Sequence, residues 1–173
     1  MSTIRIELLD NEDGLCFFDC DNTSINEQVR NSYFATIVKK GYAYSISLDN
    51  KAVGYYMLSL VSVENYSDRY DSGHFGTKFA ALKIEYLAIA KMYQKLGFGR
   101  CVLDIIIKQA KDLCERIPIR YLTLDSLTEK VYWYKKAGFI CYPKAFETTS
   151  STTVMYLDFV KSETIDKYCD TVI

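Results

Sequence analysis

The 173-residue sequence predicts an α/β domain in which helices pack on a mixed sheet. Three observations carry that prediction. Short runs of alternating or β-branched residues recur along the chain, one stretch near 99–117 repeats apolar residues at helical spacing, and the signals alternate in the order β, α, ββ, β, α, β, α, ββ. Hydrophobic residues make up 49%, charged residues 25% and aromatic residues 14%, the proportions of an ordinary globular domain. A chain of this length buries roughly two-thirds of the surface its unfolded form exposes, so residues 1–173 are read as one domain.

Each element has its own signal. Ile4, Ile6 and Leu8 alternate with Arg5 and Glu7 and predict a first strand. Ser24-Ile25-Asn26-Glu27 has the form of a capping box opening a helical stretch that Gly41 stops. Residues 42–48 and 52–63 are rich in β-formers and flank Asp49-Asn50-Lys51, which reads as a hairpin turn. Residues 64–78 are polar and without period, hence a long loop, and 80–90 return to strand. From Gly99 a helix follows, with Leu103, Ile106, Ile107, Ala110, Leu113, Cys114 and Ile117 on one stripe and Pro118 ending it. Residues 119–125 form a strand, and Ser126-Leu127-Thr128-Glu129 reads as a second capping box on a short helix that Gly138 closes. Two strands, near 139–142 and 153–160, complete the chain, with a polar tail from Lys161.

Composition narrows the chemistry. Lys and Arg number 21 against 22 Asp and Glu, so no global field advertises nucleic acid. His74 is the single histidine, which argues against a His-rich metal centre; no metal is expected. Cys16, Cys20, Cys101, Cys114, Cys141 and Cys169 are scattered, without a CxxC pair. With a strand-like start and no apolar run of the ~18 residues that a membrane helix needs, they suggest reduced thiols in a cytoplasmic protein without a membrane partner. Cys101 and Cys114 fall on or beside the helix stripe, where small apolar residues belong, so a cysteine nucleophile is not expected.

The informative segment joins the strand ending at Ile89 to the helix beginning near Gly99: Ala90-Lys91-Met92-Tyr93-Gln94-Lys95-Leu96-Gly97-Phe98-Gly99-Arg100. A strand that turns through two glycines into a helix start leaves backbone N–H groups unpaired at the positive end of a helix dipole, a geometry that binds phosphate. The same glycines also suit a bare strand-to-helix turn. A Walker A loop would need Lys-Ser or Lys-Thr after Gly99, where Arg100-Cys101 stands, and a dinucleotide fingerprint would need glycine at Val102.

Gln94-Lys95-Leu96-Gly97-Phe98-Gly99 resembles the Q/R-x-x-G-x-G/A signature of the GNAT superfamily of acyl-CoA N-acyltransferases. It follows the strand Leu87-Ala88-Ile89, heads an amphipathic helix, and precedes Tyr134-Lys135-Lys136-Ala137-Gly138-Phe139, which is similar to the family's Y-x-x-x-G-F element. The resemblance implies a GNAT-like fold, with a central, mostly antiparallel mixed sheet of six to seven strands splayed at the fourth and fifth. It implies acetyl-CoA as cosubstrate. Its pyrophosphate would lie on the amides around Leu96, Gly97, Phe98 and Gly99, with Gln94 in the motif and charge from Lys91, Lys95 and Arg100. Main-chain groups near Leu87, Ala88 and Ile89 would pair with pantetheine and the thioester carbonyl.

By the same resemblance the amine attacks directly, Tyr134 is the acid for the departing thiolate, and Glu85, on the cofactor strand, is the candidate base. Tyr134 as a packing residue and Glu85 as a partnered or solvated carboxylate remain open readings. Trp133, Tyr55, Tyr56, Tyr66, Tyr70 and Tyr142 are candidates for lining an acceptor groove or for an aromatic core. The expected partner is an amine-bearing small molecule or protein. Phe18-Asp19-Cys20-Asp21-Asn22, Gly54-Tyr55-Tyr56, Leu124-Asp125 and Tyr134 with Gly138-Phe139 are similar to the toxin-type branch that acetylates aminoacyl-tRNA. Tyr86 stands where that branch carries a basic residue, and the net charge is -1. A non-catalytic acyl-CoA-binding module and a homodimer paired through β edges are also open.

Overall fold

The computed structural model describes residues 4–66, 78–142, 151–161, 163–164 and 167. Its seven strands are β1 (Ile4–Leu8), β2 (Tyr42–Leu48), β3 (Lys51–Glu64), β4 (Lys78–Ile89), β5 (Tyr121–Leu127), β6 (Ile140–Cys141) and β7 (Thr152–Asp158). Its helices are α1 (Thr23–Arg30), α2 (Ser32–Ile37), α3 (Phe98–Cys114) and α4 (Val131–Lys135). The strands form one mixed sheet in the order β1-β2-β3-β4-β5-β7-β6. By contacts the chain divides into two compact units, Met1–Leu60 with Lys83–Ile107 and Val61–Leu82 with Lys108–Ile173, so β3, β4 and α3 contribute to both. His74, Tyr70 and Cys169, and most of the predicted loop and tail, lie outside the described residues.

In the first unit β1 lies antiparallel to β2, with Ile6 opposite Ile46. β2 and β3 form the expected hairpin. Its turn is Asp49-Asn50, both at positive φ (49° and 65°), the primed two-residue turn that matches the twist of its strands. The helical stretch differs from expectation. Its cap is Asn22, whose Oδ1 accepts from the Ile25 N–H at 3.0 Å, so Ser24 lies inside α1. Nor does the helix run on to Gly41. Asn31 caps α1, its N–H and its Nδ2 both donating to the Glu27 carbonyl; at the next residue the Ser32 hydroxyl, not its N–H, takes the Gln28 carbonyl, and the chain breaks into α1 and α2 there. Val29 packs with Phe18, Tyr55, Met57, Tyr86 and Ala88 in the core of this unit.

Along α3 the fully buried stripe is Val102, Leu103, Ile106 and Ala110. The helix stops at Cys114, leaving Ile117 exposed, and the Cys114 thiol donates to the Ala110 carbonyl.

In the second unit β7 pairs antiparallel with β5 and β6. Its core is aromatic: Tyr66 lies 5.1, 4.6 and 4.9 Å from Tyr121, Tyr142 and Tyr156, centroid to centroid. Tyr121 Oη donates to Asn65 Oδ1 at 2.8 Å, and the Arg120 guanidinium, paired with Asp158 at 3.1 Å, stacks 4.7 Å from the Phe79 ring. The second capping box does not form. Ser126 and Leu127 belong to β5, the Ser126 hydroxyl donates to the Leu127 carbonyl, and a 3-10 turn at Thr128–Lys130 leads into α4 without a side-chain cap.

Candidate active site

The segment between β4 and α3 turns abruptly. A 3-10 turn at Lys91–Tyr93 is followed by Lys95 at φ 62° and Gly97 at φ 88°. A Cβ at Gly97 would meet nothing within 4 Å, so it is the left-handed backbone, not crowding, that calls for glycine there. Gly99 lies inside α3 and has no positive φ. Among the described residues the amides of Lys95, Leu96, Gly97, Phe98 and Gly99 donate to no acceptor, whereas those of Arg100 and Cys101 both bond the Gly97 carbonyl. The free amides open a 17-residue helix, which adds the positive end of its dipole. Such an arrangement fits a diphosphate.

The cationic neighbours are arranged unequally. Lys91 Nζ lies 2.8 Å from Asp21 Oδ1, and that hydrogen bond raises its pKa. Arg100 Nε donates to both Asp104 oxygens, at 3.0 and 3.2 Å. Lys95 has no carboxylate partner among the described residues. Gln94 does not reach outward: its Nε2 donates to the carbonyls of Cys20 (2.8 Å) and Ile89 (2.9 Å).

Those bonds belong to a clasp that holds the loop from residues 19–26. Asp19 Oδ1 accepts from the Asp21 N–H at 2.8 Å and from Asn26 Nδ2 at 2.9 Å. Asn26 Oδ1 accepts from the Cys20 N–H at 2.9 Å, and the Asp19 carbonyl accepts from the Lys91 N–H at 3.0 Å. The bonds from Asp21 and Asn26 hold the Asp19 carboxyl below its ordinary pKa.

At the end of β4, Ala88 and Ile89 are buried and Leu87 is half-buried. Gly54 on β3 is required here, because a Cβ on it would lie 2.5 Å from the Ala88 carbonyl oxygen. Glu85 is half-buried; Ser59 Oγ donates to its Oε1, and Lys83 Nζ lies 3.6 Å from its Oε2. It borders an open groove of about 430 Å³ that also meets Ser24, Glu27, Gln28 and Asn31 along α1 and its C-cap, together with Lys40 and Tyr86. Tyr86 is buried and its hydroxyl pairs with Ser32 Oγ; burial pushes its phenol up to about 12.

Tyr134 sits in α4, half-buried, with Trp133 4.8 Å and Phe139 5.7 Å away, both edge-on. Its carbonyl accepts from the Ala137 and Phe139 amides, which ties the G-F element to the end of the helix. Burial pushes its phenol up to about 12, so it carries its proton at neutral pH.

Among the tyrosines suggested for an acceptor groove, Tyr55 and Tyr56 are buried core residues and Tyr66 and Tyr142 belong to the aromatic cluster. The groove instead meets Ser24, Glu27, Gln28 and Asn31, of which the sequence marks only Ser24 and Glu27, and those as a helix cap. Their spacing of three, one and three is a helical stripe, but a polar one, and reads as a solvated face. Burial raises the Cys20 and Cys114 thiols, which keeps both protonated and unreactive.

The acetyltransferase (GNAT) family model matches residues 6–139. No curated protein matches at a significant level. Among solved structures, one described as a bacterial toxin is 19% identical, with a TM-score of 0.79 over 91% of this chain and 92% of that one. AtaT complexed with acetyl-methionyl-tRNAfMet is 19% identical, with a TM-score of 0.76 over 96% and 99%. AtaTR bound with AcCoA is 21% identical, with a TM-score of 0.74 over 90% and 93%. At these identities the likeness is one of fold. The family match covers most of the sequence, and the chain belongs to the GNAT acetyltransferases, enzymes that transfer an acyl group from acyl-CoA to nitrogen.

Proposed function

We propose that residues 1–173 form one acetyltransferase domain that passes the acetyl group of acetyl-CoA directly to a primary amine, without an acyl-enzyme. The observation that carries this reading is the row of unpaired amides from Lys95 to Gly99 at the start of α3. Acetyl-CoA supplies an acetyl group activated as a thioester, with a diphosphate as its handle. The chain's residues do the rest. The amides of Leu96, Gly97, Phe98 and Gly99 hold the diphosphate, with Lys95 as the nearby cation. The main chain of Leu87, Ala88 and Ile89 orients the pantetheine arm, and an N–H directed at the reacting carbonyl is worth roughly 3 to 4 kcal/mol in acyl-transfer enzymes. Glu85, beside the groove along α1, takes the proton of the incoming amine. Tyr134 Oη gives its proton to the departing thiolate. General acid and base steps of this kind contribute about 10² to 10⁴ in rate.

A second reading names the acceptor as the amino group of an aminoacyl-tRNA. It is supported by the likeness of fold, over 96% of this chain, to AtaT complexed with acetyl-methionyl-tRNAfMet. On that reading the protein acts in the cytoplasm, and its partners include a neutralising antitoxin, as in the structure of a mutant AtaT bound to the C-terminus of AtaR. A thiol-release assay with acetyl-CoA and a panel of polyamines, peptide amines and aminoacyl-tRNAs tests both. Turnover on any amine supports the first reading, and turnover confined to aminoacyl-tRNA supports the second. Binding of coenzyme A with no turnover on any acceptor would replace both with a non-catalytic binding module.

A further inference from the structure

We infer that Asp19 and Asn26 are positioning residues for the cofactor loop: their linked side chains fix the 19–21 main chain, in which the carbonyls of Asp19 and Cys20 in turn fix the loop that presents its amides to a diphosphate. This rests on the proposed binding role of that loop. The loop has little to hold it by itself, since its free amides make no internal bonds, Lys95 sits in a left-handed conformation that costs a non-glycine residue energy, and Lys91 to Gly97 are half-buried or exposed. Beyond its own 3-10 turn and the Gln94 Nε2 bond to the Ile89 carbonyl, its fixed points come from two places. The end of β4 is anchored where the Ala90 N–H donates to the Val53 carbonyl at 2.8 Å. The remainder comes from residues 19–21: the Asp19 carbonyl takes the Lys91 N–H, the Cys20 carbonyl takes Gln94 Nε2, and the Asp21 carboxylate takes Lys91 Nζ.

That tripeptide carries strain of its own, because Asp21 is at φ 65°. Asp19 Oδ1 restrains it by binding the Asp21 N–H, and Asn26 restrains it by binding the Cys20 N–H and Asp19 Oδ1 together. Asn26 rides on α1, the same helix that carries Ser24, Glu27 and Gln28 to the groove. A diphosphate that orders the loop therefore also orders the start of α1, and the two sites answer to one another.

Calorimetric titration of the full chain with coenzyme A tests this. Binding by the unsubstituted protein is the prior condition, and its absence would remove the proposed function itself. Asp19→Ala and Asn26→Ala should each weaken binding by about tenfold, the scale of one lost hydrogen bond to a charged group. Asp19→Asn keeps an oxygen acceptor at the same place and should restore affinity to within roughly twofold, a rescue that a purely electrostatic role would not give. Alanine variants that melt as the parent does and bind coenzyme A as tightly, or an Asp19→Asn variant as weak as Asp19→Ala, would overturn the inference. If the alanine variants fail to fold, hydrogen exchange on the unsubstituted protein decides: coenzyme A should slow exchange at the Cys20 and Asp21 amides several-fold, and unchanged exchange there overturns it.

Discussion

The two units of the chain hold their important parts by opposite means. In the first, the loop expected to bind the cofactor hangs on directed polar bonds, with the carbonyls of Asp19, Cys20 and Ile89 as its anchors. In the second, the paired strands are covered by ring packing, with Tyr121, Tyr142 and Tyr156 each against Tyr66 and Arg120 stacked over Phe79. Ring packing is broad and tolerant of direction, and it stabilises by area buried. Polar bonds fix direction but contribute little net stability each. The contrast teaches where to look for effects: damage to the second unit should appear as lost stability, and damage to the first as lost affinity.

The largest expected effect tests the aromatic half. Tyr121 is fully buried, and Tyr121→Ala should lower unfolding free energy by about 3 to 5 kcal/mol, read by denaturant titration. While the variant stays folded, its affinity for coenzyme A should be unchanged. Joint loss of both would break the comparison. Tyr134 sharpens it, because it is a second-unit residue assigned a chemical role. Tyr134→Phe should lower kcat by about 10² to 10³ while leaving thermal stability and coenzyme A affinity near those of the parent. With the phenol held at about 12, a falling limb from its ionisation lies above the ordinary assay range. The rate should therefore not decline between roughly pH 8 and 10 on account of this group, and a decline there that vanishes in Tyr134→Phe would contradict its burial. Gly97→Ala should act in the first unit's manner. Its Cβ meets nothing, so the cost is the left-handed backbone, about 1 to 2 kcal/mol, and because relaxing that strain turns the amides, coenzyme A should bind about tenfold more weakly.

The same contrast explains what could be read from the sequence. Period-two runs and the apolar stripe of α3 predict the order of elements because burial imposes them, and a buried residue such as Ile106 or Ile46 has one side to face. The loop was legible for a different reason: Gly97 in its motif is required by a backbone angle. What escaped was set by polar competition. The helix predicted to run to Gly41 breaks where the Ser32 hydroxyl takes the Gln28 carbonyl in place of a main-chain N–H, and a serine does not announce which neighbour it will choose. Ser24 and Ser126 had the spacing of caps, yet Asn22 took the first role and β5 absorbed the second. Gln94 belongs to a family signature, but no local pattern reveals that both of its donated bonds go to main-chain carbonyls, one of them 74 residues away in sequence.

The smallest expected effect concerns charge at the loop. Arg100 stands one turn before Asp104 on the exposed face of α3, and its Nε is shared between both carboxylate oxygens. Exposed pairs at this spacing are worth about 0.3 to 0.5 kcal/mol, so Asp104→Asn should barely move the melting temperature. Its effect on the ligand has a definite sign. Removing the carboxylate takes one negative charge from the neighbourhood of the α3 start and frees a guanidinium there, so coenzyme A should bind up to about threefold more tightly at low salt, and the gain should fade as salt rises. Weaker binding in that variant would mean that Asp104 holds Arg100 where the diphosphate needs it, and that the pair belongs with the clasp as part of the site.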